Sequence, residues 1–163
     1  MNDRLVLLPL ARIEGRHLAD LVDQFLELLT DTELGPHADP GLRRLTPDVY
    51  PDDAEASAEF AEATADDLLD RRAADARVVR AGLRRFVDGA GDDADPIDAV
   101  IAEADLDAWL RTLAALRLVI ASRLGIETDA DHDREDPRFG VYDWLGYRLD
   151  GLVEAAEARE TPA

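Results

Sequence analysis

The stripe Leu106, Trp109, Leu110, Leu113, Leu116, Ile120 and Leu124 most restricts what this chain can fold into. A helix turns by about 100° per residue, so steps of three and four return to the same side and these side chains share one face. Such a face is stable only when other elements cover it. Asp105 stands before the stripe as an N-cap and Gly125 after it as a stop, which predicts a helix over 106–124.

Three further segments repeat the pattern. Leu18, Leu21, Val22, Phe25, Leu28 and Leu29 predict a helix over 11–30, with Asp20, Asp23 and Glu27 on its solvated side. Leu68, Leu69, Ala76, Val79, Leu83, Phe86 and Val87 predict another over 65–87. Thr64 and Asp67 are expected to open it as a cap, leaving 53–63 as a separate alanine-rich helix. Trp144, Leu145, Leu149 and Leu152 predict a fourth over 141–158. Thr46 followed by Pro47 suggests the start of a single turn over 48–50. Arg4 to Leu8 has the character of a short strand, yet no second strand is evident to pair with it. Segments 88–96 and 127–139 read as mobile loops and 159–163 as a fraying tail. The expected fold class is all-α: one helical domain over 1–163, a bundle of about four long helices with short helical turns and room for a short N-terminal strand.

Composition narrows function mainly by exclusion. The 37 acidic residues against 18 basic ones give a formal charge of −19, which opposes general attraction to nucleic acids or anionic membranes. Every basic residue is arginine. Cysteine is absent, so no disulfide, thiolate metal site or thiol nucleophile can form. No stretch approaches the roughly 18 uncharged apolar residues of a membrane helix, and the N-terminus lacks a secretory pattern, so a cytoplasmic protein is expected. His17, His37 and His132 lie too far apart in sequence for a helical zinc pair. Asp129, Asp131 and Asp133 begin like a calcium loop, but its sixth position is Arg134 and its twelfth Gly140. Ser57 and Ser122 have no histidine nearby in sequence. No catalytic residue, metal or cofactor is therefore expected; a carboxylate-based enzyme is the minority alternative.

Arginines break the helical pattern. Arg72 falls between the directions of Leu68 and Ala76, Arg117 falls between Leu110 and Leu124, and Arg148 points inward on the last helix. A guanidinium cannot shed its charge on burial, so each needs a carboxylate or carbonyl partner. Glu62, Asp67 and Asp143 are the candidates. Arg72 and Arg117 are expected to be mostly buried, with an acidic oxygen within about 4 Å. Arg77, Arg80 and Arg84 form a second group along one helix edge, with few acids at helical spacing. They are expected to face acidic surface of the same chain or of a homodimer partner; the alternative is a phosphate-contacting patch for DNA.

The blocks LTPDVYPDD from Leu45, EFAEATADDL from Glu59, WLRTLAALRLVIASRLG from Trp109 and YDWLG from Tyr142 resemble the actinobacterial AosR-type family, long catalogued as a domain of unknown function. The resemblance implies a cytoplasmic regulatory protein, named in some members as an oxidative-stress-responsive transcription regulator, often encoded near the adaptor of the Clp protease. It points to protein partners, with transcription machinery among them. Without cysteine, this chain would have to receive an oxidative signal through a partner. Trp109 and Trp144 are expected to face the core. Tyr50 and Tyr142, half exposed beside Asp48 and Asp143, are expected with Trp144 to border a groove for a partner segment.

Overall fold

A computed structural model describes residues 4–31, 39–46 and 52–160. Strand β1 (Leu5–Ala11) turns Val6, Leu8 and Leu10 inward on the two-residue period of a strand. Its partner is β2 (Pro96–Ala102), antiparallel, with Leu5 opposite Ala102 and Ala11 opposite Pro96. The second strand was hidden in the sequence because its inward residues include the small Ala99 and its outward face mixes Asp98 with Val100. Pro96, which has no N–H to donate, stands at the strand's first position. The expected loop is therefore shorter than 88–96.

Helix α1 (Arg12–Thr30) follows β1 without a break and buries Leu18, Ala19, Val22, Phe25 and Leu29. The short α2 (Pro40–Leu45) is capped by Asp39, whose Oδ1 accepts from the amides of Gly41 and Leu42. Thr46 closes α2 instead of opening a following turn, its hydroxyl donating to the Leu42 carbonyl at 3.2 Å. The turn expected over 48–50 lies outside the described residues.

Helix α3 (Ala54–Gly82) is a single element of 29 residues. Asp53 caps it through the Ala56 amide at 3.0 Å, and the Thr64 expected as a cap lies in its interior. Alanine is the best helix former, so the alanine-rich stretch before Thr64 carries the helix through a local start signal. At its other end the expected run to 87 divides. The Leu83 amide bonds back to Val79 and Arg80, and α4 (Arg84–Asp88) begins a new turn. The division seats the fully buried Phe86 ring against α1, where a Cβ on Gly15 would overlap it.

Helix α5 (Leu106–Leu124) takes the expected bounds, but Asp105 makes no side-chain cap bond because it ends a 3-10 turn, Glu103–Asp105, that runs straight into the helix; Gly125 ends it with φ +72°, the left-handed conformation that glycine adopts most easily. Two single turns of 3-10 helix, Asp129–Asp131 and Pro137–Phe139, then lead into α6 (Gly140–Glu160). Arg159 and Glu160 continue that helix; the rest of the expected tail lies outside the described residues.

One buried cluster joins Leu10 of β1, Leu18 of α1, Leu42 of α2, Val79 of α3, Phe86 of α4, Ile101 of β2, Trp109 of α5 and Leu145 of α6. The fold is mostly helical, with a small two-stranded sheet whose outer side chains Leu5, Leu7 and Val100 are exposed. No helix among the described residues is long and apolar enough to cross a membrane.

Candidate partner-binding site

Among the described residues, the segment 126–139 and the first two turns of α6 bring Tyr142, Asp143 and Trp144 together with Arg117 of α5. Ile126 and Phe139 bury beside Ala121 of α5, which pins the segment 127–139 to the end of that helix. Within it, the Asp131 carboxylate accepts from the amides of Thr128 and Glu127, and these bonds hold it below its ordinary pKa. Asp131 thus serves the turn, as does Asp133, which accepts from the Glu135 amide at 2.9 Å.

This anchoring fixes the imidazole of His132, whose Nε2 lies 2.7 Å from Asp143 Oδ1. The ring meets Phe139 and Tyr142 edge-on, at 5.3 and 5.5 Å between centroids. On α5, the guanidinium of Arg117 lies over the Tyr142 ring, 4.1 Å from its centroid, and its Nε donates to the Tyr142 carbonyl at 3.4 Å. Gly146 permits this approach: a Cβ there would sit 3.0 Å from Arg117 Nε. Arg117 is therefore half-buried against a ring and a carbonyl, a correction to the expected carboxylate pair. Asp143, the acid nearest in sequence to that ring, faces His132 instead.

The opposite side of α6 ties the sheet and α1 to the same helix. Trp144 is half-buried, and its Nε1 donates to Glu14 Oε1 at 2.7 Å. Nη2 of Arg148 donates to both oxygens of Glu14, at 2.7 and 2.8 Å, while its Nη1 donates to the Pro9 carbonyl at 3.1 Å. The Ala11 amide also donates to Glu14, at 2.7 Å. Burial alone would raise the Glu14 pKa; bonds from Arg148, Ala11 and Trp144, with the Arg148 charge, outweigh it and hold the carboxyl below its usual range. The best-paired inward arginine is thus Arg148, and its acid is Glu14, outside the expected set of Glu62, Asp67 and Asp143. Glu14 occupies the third helical position, where a glutamate reaches back to the cap amide; that much was readable, but the link to α6 depends on tertiary packing.

Arg72 departs furthest from expectation. It is half-buried with no carboxylate in ion-pair contact among the described residues, because Arg111 takes Asp75 at 3.0 Å. Burial lowers its pKa, with the pull of Asp75 acting against the shift and the charge of Arg111 acting with it. Asp67 is exposed, and the side chain of Glu62 lies outside the described residues, as do Asp48 and Tyr50. Arg80 meets Asp23 of α1 at 2.8 Å, an acidic surface of the same molecule. Arg77 and Arg84 are exposed, and Arg84 stands at the start of α4, beyond the break after Gly82. Among the described residues, the arginine most withdrawn from water is Arg12, only 8% exposed, which no sequence signal singled out.

Two cavities flank the start of α6. One, of about 410 Å³, lies among Glu14, His17, Leu21 and Trp144. The other, of about 580 Å³, lies among Arg117, His132, Tyr142, Asp143 and Tyr147. Tyr147 is 69% exposed at its edge. The second cavity presents two arginines, carboxylates and aromatic faces together, a mixture suited to a polar peptide carrying one or two large side chains.

Comparison with curated proteins and with solved structures gives no match. A family model described as a domain of unknown function (DUF2017) matches residues 1–156, and the chain belongs to that family.

Proposed function

We propose that the chain is a non-enzymatic regulatory protein that acts in the cytoplasm by docking a protein partner over the start of α6, in the manner of the AosR-type stress regulators its sequence blocks resemble. One observation carries the reading. Tyr142 and Asp143 are held in fixed positions by Arg117 and His132, while Tyr147 stands open beside them at the edge of the cavity. Aromatic side chains already held in place lose little entropy on binding and commonly supply the largest part of interface affinity. The sensing step belongs to the partner, since the chain carries no cysteine.

The test is capture from the native host with and without peroxide, then direct titration of the identified protein against the purified chain. Tyr142→Ala combined with Tyr147→Ala is expected to weaken that complex by about tenfold or more while the helical circular dichroism stays unchanged. Unaltered affinity would remove the α6 site. The DNA alternative is checked by mobility shift across a salt series: phosphate contacts give a falling slope, which Arg77→Ala with Arg84→Ala would flatten. That result would replace the protein-partner reading.

A further inference from the structure

Arg12 opens α1 at the end of β1, yet its guanidinium is withdrawn from solvent. Nε and Nη1 are fully buried and make no hydrogen bond, and no carboxylate is in ion-pair contact with Arg12 among the described residues. A guanidinium keeps its charge on burial, so such a group normally carries a partner.

The surrounding chain is shaped to it. The carbonyls of Asp95 and Asp93 accept from the amides of Arg12 and Ile13, at 2.9 and 3.0 Å, and draw the segment 89–95 over the helix start. A Cβ at Gly89 would fall 2.5 Å from Nη1, and one at Gly91 2.8 Å from Nη2; Gly91 also holds φ +150°, which other residues rarely adopt. The acids of that segment are engaged elsewhere. Asp93 pairs with Arg16 at 2.8 Å, and Asp92 and Asp95 accept amides within their own turn.

Arg12, Arg84, Arg85, Asp88, Gly89 and Ile97 wall a cavity of about 580 Å³. Three guanidiniums against one carboxylate leave two formal positive charges there, in a chain of −19 overall. We propose that this cavity binds a small phosphate monoester, its dianion held by Arg12 with Arg84 and Arg85 and its organic part lying toward Ile97. The doubly charged phosphate balances the site, and its oxygens match the fork of the guanidinium. The volume is that of a small-molecule site and exceeds what a bare phosphate fills. A long nucleic acid would meet the repulsion of the whole acidic surface, whereas a single dianion meets the local field. None of these residues belongs to the α6 site, so either assignment can fail alone.

The experiment uses the full chain, with thermal unfolding and phosphorus NMR titration against glycerol 3-phosphate and inorganic phosphate, each compared with chloride at equal ionic strength. Saturable stabilisation by both phosphates is expected, tighter for the ester. Arg84→Ala with Arg85→Ala, two exposed side chains, is expected to weaken it by about tenfold, and Arg12→Met by at least as much. Asp88→Asn is expected to tighten it a few-fold. Should Arg12→Met fail to fold, the Arg84/Arg85 and Asp88 variants decide. Equal effects of chloride and phosphate, or undiminished binding in the Arg84/Arg85 variant, would overturn the proposal. Preference for an oligonucleotide duplex over the ester would overturn the assignment to a small ligand.

Discussion

Arg148 and Arg12 are both drawn out of water where β1 meets α1, and the fold treats them differently. Arg148 gives its Nη2 to both oxygens of Glu14 and its Nη1 to the Pro9 carbonyl, leaving only its Nε unbonded. Arg12 lies two residues from the same glutamate and receives nothing from it. Residues two apart on a helix point to different sides, so Glu14 can serve α6 but not its neighbour. A chain with twice as many acids as bases can still leave a buried cation unpaired, because direction along the backbone decides pairing and abundance does not.

The contrast is broken most severely by Glu14→Ala, which strands Arg148 Nη2, the Trp144 N–H and the Ala11 amide together. Urea unfolding is expected to show a loss of about 3 kcal/mol. Asp39→Ala tests a carboxylate with two duties nearer the surface, capping α2 and receiving Arg123 at 2.9 Å. The expected loss is about 1–2 kcal/mol, measured in the same way. Acid titration sharpens the comparison further. The Glu14 carboxyl is lowered in the folded state, so its contribution is complete above its unfolded value of about 4.3 and is lost as pH falls through the folded value. The urea midpoint should therefore fall on acidification below about pH 4, less steeply in Glu14→Gln. At the small end, Arg138→Ala removes an ion pair whose arginine is 76% exposed, and the midpoint should barely move.

Much of the helical layout was legible because it rests on local periodicity: the bounds of α5 and its stop at Gly125 follow from spacing and one glycine. What stayed hidden depends on distant partners. β2 shows its strand character only when β1 lies alongside, and the break after Gly82 makes sense only with Phe86 seated on Gly15. At the candidate site, helical spacing places Arg148 inward, and the sequence sets Tyr142 next to Asp143. It could not show that Arg117 would meet a ring, or that α1 would supply the glutamate. Arg12 escaped notice because it is buried by the glycine segment lying across it and not by an apolar stripe of its own helix.

The most direct test gives both arginines the same substitution in chloride buffer free of phosphate. Arg148→Met should lower unfolding free energy by about 2 kcal/mol, since Glu14 loses its cation. Arg12→Met should leave it unchanged or raise it by about 1 kcal/mol, since an uncompensated buried charge is removed. Similar destabilisation by both would mean that Arg12 is already satisfied within the chain, and the distinction drawn between the two sites would be wrong.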